Sequence, residues 1–208
     1  MRVLLDGTKC TFSADTIAKA IEQGVEQAHA LGRVVVQVEV DAQPLELEQL
    51  QDQAYTSRAA GEVCLTSLTE QELLLSSLDL GQNAIEVAQE HFTKAARLIQ
   101  TGNTPEAMQE MSQAIDLWQT VEETVFREAV PQIRQPEIDR QLEIHIGNLR
   151  SALSTVQTAI NAGDMVSLGD ILLYEFPDTS REWTRFLEGC AACLEGASTP
   201  SEHEESCE

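Results

Sequence analysis

The stretch TEQELLLSSLDLGQNAIEVAQEHFTKAARLIQ, residues 69–100, decides the fold. Its small and apolar residues Leu74, Leu78, Gly81, Ile85, Ala88, Phe92, Ala95 and Ile99 follow one another at steps of 4, 3, 4, 3, 4, 3 and 4. That spacing lines one face of an α-helix. Thr69 and Glu72 form a capping box in front of it, the hydroxyl taking a free N–H of the first turn and the carboxylate reaching back. Gly102 supplies the stop, because glycine adopts the left-handed conformation that ends helices.

Three more stripes follow. Thr104-Pro105-Glu106 opens a second helix with proline at the first helical position. Its core face is Ala107, Met111, Ala114, Trp118, Val121 and Val125. Pro131 and Pro136 are expected to bracket a linker. A third helix carries Leu142, Ile146, Leu149, Leu153, Val156 and Ile160, and Gly163-Asp164 ends it and caps the next. The fourth segment holds Val166, Leu168, Ile171, Leu172, Phe176, Trp183, Phe186 and Leu187, and Pro177 is expected to kink or break it. Four stripes with short connections predict an antiparallel four-helix bundle over residues 69–194.

Upstream the period is two. Arg2 to Leu5 reads as a strand, Asp6-Gly7 as a turn and Lys9 to Phe12 as a returning strand. Ser13 is the expected N-cap of a helix over 15–30. Arg33 to Asp41 alternates, with Val34, Val36, Val38 and Val40 predicted on one face and Val35, Gln37, Glu39 and Asp41 on the other. Leu45 to Arg58 is helix-compatible, and Gly61 to Leu68 is a last strand. The expected fold class is therefore α+β: a small α/β unit at 1–68, then the bundle at 69–194. Residues 195–208, almost without apolar side chains, are expected to form a disordered acidic tail.

With 208 residues and 42% hydrophobic content, the chain can bury the cores of one or two domains. Its net charge is −22, from 13 Lys and Arg against 35 Asp and Glu. This argues against nucleic acid, whose phosphates need cations, and against an anionic membrane surface. The N-terminus lacks an apolar run of signal-peptide length, and no stretch approaches the roughly 18 apolar residues of a membrane span. A cytoplasmic protein is expected. Five cysteines at uneven spacing do not make a disulfide framework.

Each catalytic or metal motif in the sequence lacks part of what its chemistry needs. Cys190 and Cys193 form a CxxC, but a metal would need two more ligands, for which only Cys207 and His203 in the tail offer themselves. A redox CxxC belongs at a helix start, and this one falls near a predicted helix end. A di-iron bundle needs Glu-x-x-His on two helices. Only His29 has a glutamate three residues before it, Glu26, and it lies outside the bundle. No glycine-rich phosphate loop or nucleophile elbow occurs. The expectation is no enzyme, no cofactor and no metal.

Residues 69–188 resemble the flagellin export chaperone bundle. The similarity rests on the Leu73-Leu-Leu75 start, the long helix to Ala95-Ala96 and the Gly102 break before Ala107. It extends to the Ala114-Ile115 stretch and to the Gly163-Asp164 turn with a Trp near the end. That family is normally a bundle alone and often richer in lysine; the added N-terminal unit resembles uncharacterised bacterial proteins. The resemblance implies binding an amphipathic segment of a secreted subunit along the bundle. On these grounds the chain is expected to be a non-catalytic protein-binding module, a chaperone or adaptor of a bacterial export or motility system. Tyr174, Phe176 and Trp183 are the candidate anchors for an amphipathic helix carrying basic residues. The alternatives are a self-associating structural module and a thiol- or metal-dependent enzyme.

Overall fold

The computed structural model describes residues 1–196, and the chain divides into two compact units, Met1–Leu73 and a second from Leu74 onward. The fold class is α+β, with a mixed five-stranded sheet preceding a helical unit. The expected boundary after Leu68 lies five residues earlier than the observed one. The first helical turn is tied to the sheet unit, Arg33 Nη2 lying 3.5 Å from the Glu72 carboxylate. Cys207 and His203, with most of the expected tail, lie outside the described residues.

In the first unit β1 (Arg2–Leu5) turns through Asp6 and Gly7, both at positive φ, into β2 (Thr8–Lys9). Two consecutive positive φ values make the hairpin turn that matches strand twist, and Asp-Gly adopts it readily. The returning strand is shorter than expected. The helix α1 (Ile17–Ala30) starts later than Ser13 implied: Thr16 caps it, its Oγ1 accepting from the Lys19 N–H at 3.3 Å. Ala14 is buried in non-helical chain just before it.

Next come β3 (Arg33–Val40), β4 (Gln43–Pro44) and β5 (Glu62–Thr69). The strand order is β2-β1-β5-β3-β4, with β1 parallel to β5 and the other pairs antiparallel. Leu45 to Arg58, helix-compatible in sequence, forms two short helices, α2 (Leu47–Gln51) and α3 (Gln53–Thr56). Asp52 between them is extended, and its carboxylate accepts from the Ala54 N–H.

The valine alternation in β3 is corrected by a bulge. Val35 pairs with Ser67 and Gln37 with Thr66, so Val36 is an extra residue. One extra residue moves everything beyond it to the opposite face. Val34 and Val36 are thus exposed, while Val35, Val38 and Val40 meet the core around Val3, Leu5, Ile17, Val63 and Leu65. Helix α1 packs closely here, since a Cβ on Gly24 would lie 2.8 Å from the Leu65 methyls.

A polar knot holds the sheet ends. The Asp6 carboxylate accepts from the Ser67 N–H and Oγ, both at 2.7 Å. Arg33 donates to Ser67 Oγ at 2.9 Å and to its carbonyl at 2.7 Å. Those Ser67 donors, together with Arg33, hold the Asp6 carboxyl below its ordinary pKa.

The second unit begins within α4 (Glu70–Gln100), whose capping box is formed. The Thr69 N–H donates to Glu72 at 2.7 Å, and the Glu72 N–H to Thr69 Oγ1 at 3.1 Å. After α5 (Thr104–Val121) the chain continues as a π-helix, Glu122–Ala129, and a 3-10 turn, Val130–Ile133. Then come α6 (Pro136–Ala162) and α7 (Met165–Asp170). A second π-helix, Ile171–Glu175, leads into α8 (Phe176–Gly196). Both glycine stops are Schellman turns: Asn103 N–H bonds the Leu98 carbonyl and Asp164 N–H that of Ala159, with Gly102 and Gly163 left-handed.

Two proline expectations need correction. Pro131 lies within continuing helical chain, which leaves only Arg134 and Gln135 as the linker. Pro177 sits inside α8 without ending it. Each follows a π segment. In the second, the Phe176 N–H bonds five residues back to Ile171, and that wider turn makes room for a proline ring and its missing donor.

The core of this unit includes Ile85, Phe92, Met111, Trp118, Leu149 and Val156 in one cluster, as the stripes predicted. Val166, placed on the fourth stripe, is instead 76% exposed. Helix α8 reaches the other three helical stretches. Phe176 packs on Phe92 at 4.3 Å between centroids, and Trp183 on Trp118 at 6.2 Å, Phe126 at 3.9 Å and His145 at 5.2 Å. Among the described residues no helix is long and apolar enough to cross a membrane.

Candidate partner-binding groove

The three expected anchors do not share a surface. Phe176 and Trp183 are wholly buried, and only Tyr174 is open, at 70% exposure. This corrects the sequence expectation that they form one binding face. The helical period explains it: Phe176 and Trp183 are seven residues apart and fall on the core-facing stripe, whereas Tyr174 lies two residues before Phe176, well round the helix.

The structure opens a different surface, a groove of about 1030 Å³ between α4 and α8. The Ser180 hydroxyl donates to Gln89 Oε1 at 2.9 Å across it, and both side chains lie in its lining. The pairs Gly81 with Leu187, Gln89 with Ser180 and Phe92 with Phe176 show that the two helices run antiparallel. One wall is Gln82, Asn83, Glu86, Gln89, Glu90, Thr93, Lys94 and Arg97, the polar flank of the deciding stripe. The other is Pro177, Ser180, Arg181, Thr184, Arg185 and Glu188.

Four cations line the groove. Lys94 pairs with Glu110 of α5, which also meets His91 Nδ1 at 2.7 Å. Hydrogen bonds from Lys94 first and His91 second hold the Glu110 carboxyl below its ordinary pKa. Arg181 pairs with Asp178. Arg97 and Arg185 are exposed and make no ion pair among the described residues. These four residues were not singled out from sequence. The polar stripe at steps of three and four was present, but which helix faces which is a tertiary fact.

Elsewhere the reactive side chains are set in structure. Cys190 is buried, and burial pushes its thiol up to about 12, so it carries no thiolate at neutral pH. The neighbouring Cys193 is free and half-buried. Burial also lowers the pKa of His145, which lies against Trp183 and Phe186, with Glu182 opposing the shift. Among the described residues no three His, Cys, Asp or Glu side chains gather as they would around a metal ion.

A five-stranded mixed sheet followed by a helical unit whose face carries a polar groove defines an α+β protein with a helical domain. Residues 78–186, just over half the chain, match the family described as Domain of unknown function (DUF8042), and the chain belongs to that family. The match runs from the second turn of the core stripe to Phe186 and takes in most of the groove. No curated protein and no solved structure matches the chain.

Proposed function

We propose that the chain is a non-catalytic protein-binding module of the bacterial cytoplasm, a chaperone or adaptor in an export or motility system. Its helical unit is an antiparallel four-helix bundle like that of the flagellin export chaperones. The observation that carries the binding role is the groove between α4 and α8. It is open, about 1030 Å³ in volume, and its walls are backed by the Phe92–Phe176 core contact. Rigid helical walls present side chains at fixed intervals, as recognition of a partner segment requires. Buried Phe176 and Trp183 support those walls rather than meeting the partner.

The test is site-specific photocrosslinking in the native cytoplasm. A crosslinker at Thr184, in the groove, is expected to capture a defined partner peptide. The same group at Val166, exposed but outside the lining, should not. Equal capture at both positions, or none at Thr184, would remove the groove as the binding surface. Sedimentation of the purified chain gives the self-association alternative its own readout.

A further inference from the structure

We propose that the occupant of the α4–α8 groove is an acidic segment of the protein partner, held through its carboxylates by Arg97, Arg185, Lys94 and Arg181. This rests on the binding role above and specifies the partner's chemistry, reversing the basic partner that the overall charge suggested. Residues 74–196 contain eight Lys and Arg and nineteen Asp and Glu. The groove takes four of the eight cations and only three of the nineteen carboxylates, Glu86, Glu90 and Glu188. On a chain of net charge −22 this is a local concentration of cations.

The charges are also ordered along the groove. At about 1.5 Å per helical residue, Lys94 and Arg97 stand roughly 8 and 12 Å from the Gln89–Ser180 bridge toward the Pro177 end. Glu86 and Glu188 lie on the other side of that bridge, with Arg185 about 8 Å along α8 on the same side as they are; Glu90 and Arg181 are beside the bridge, so of the lining charges only Lys94 and Arg97 stand at the far end. Arg97 and Arg185 have their guanidinium donors uncommitted. Lys94 and Arg181, though paired, remain 64% and 67% exposed at the side chain. Arginine accepts a carboxylate through two parallel hydrogen bonds, which fixes register as well as charge. The acidic surface outside the groove repels the same segment, which confines it to this one place. From Glu188 to Arg97 the groove spans about 24 Å, the length of a 16-residue helix. A single small anion would use only a fraction of it.

The test uses the full chain and a fluorescein-labelled 16-residue peptide of glutamate and alanine, with a lysine-for-glutamate peptide as control. Anisotropy is expected to show binding of the glutamate peptide. The Arg97→Glu/Arg185→Glu variant should weaken it by about tenfold or more, and Arg97→Gln/Arg185→Gln by less. Arg150→Glu, half that charge change at an exposed site outside the groove, should leave affinity within about twofold. Unchanged melting of each variant checks the fold. Binding insensitive to the Arg97/Arg185 changes, or equally sensitive to Arg150→Glu, overturns the proposal. So does tighter binding of a 16-nucleotide oligothymidylate, or displacement of the peptide by millimolar inorganic phosphate. If the Thr184 crosslink survives in the Arg97→Glu/Arg185→Glu chain, the groove still binds a partner and only its acidity is refuted.

Discussion

Gly81 offers a test of the packing whose sign changes with background. It lies in α4 on the core stripe, and its φ is not in the left-handed region, so alanine would suit the backbone. Replacing glycine by alanine inside a helix stabilises by about 1 kcal/mol on propensity alone. A Cβ there, however, would lie 2.8 Å from Val125 Cγ2, 3.4 Å from Leu187 Cδ1 and 3.5 Å from Val125 Cγ1. Val125 is buried and short, so it cannot swing aside. Overpacking of this kind costs about 1–3 kcal/mol. The net expectation for Gly81→Ala is a loss of about 0–2 kcal/mol. Val125→Ala removes both close methyls, and in that background the same Gly81→Ala should stabilise, by up to about 1 kcal/mol. Urea unfolding followed by tryptophan fluorescence reads this unit, because Trp118 and Trp183 both lie in it. If Gly81→Ala has the same sign and size in both backgrounds to within about 0.5 kcal/mol, the two sites do not touch. The close approach of α4 to the π-helical segment would then be refuted.

Phe92→Ala should cost about 3–5 kcal/mol in the same assay, since the ring is wholly buried against Phe176; Tyr174→Ala should stay within about 0.5 kcal/mol. Ser67→Ala removes the hydroxyl shared by Asp6 and Arg33 and should cost about 1–3 kcal/mol, read as faster amide hydrogen exchange along β5; exchange unchanged from the parent would mean that the knot holds nothing. Because His145 has a lowered pKa when folded, the unfolded chain takes its proton first on acidification. The stability from burying the neutral ring is therefore intact above the ordinary histidine range. It is lost as the pH falls through that range toward the lower folded value. His145→Phe should flatten this part of the profile of urea midpoints between pH 8 and pH 5.5, and an identical profile would refute it.

The parts legible in the sequence are those set by short-range chemistry. The Thr69–Glu72 box forms because its four groups lie within one helical turn. Gly102 and Gly163 end helices because a left-handed residue is needed there whatever the chain packs against. The step of three and four residues placed Ile85, Phe92, Met111 and Trp118 in one core, because helix geometry alone puts them on one face.

What the sequence could not settle depends on groups distant in the chain. The bulge at Val36 is defined by where Ser67 and Thr66 sit on β5, so an unbroken valine alternation hid a change of face. Pro131 and Pro177 read locally as breaks, yet each π segment lets packing on both sides carry the helix through. The tryptophan, phenylalanine and tyrosine near residue 180 look alike as interface anchors, but three neighbouring helices decide which of them is buried. The groove follows the same rule. Arg97 and Arg185 are 88 residues apart in sequence, and they share a surface only because the core draws α4 and α8 together antiparallel. Composition determined that the protein as a whole is acidic; tertiary structure alone decided where its cations would gather.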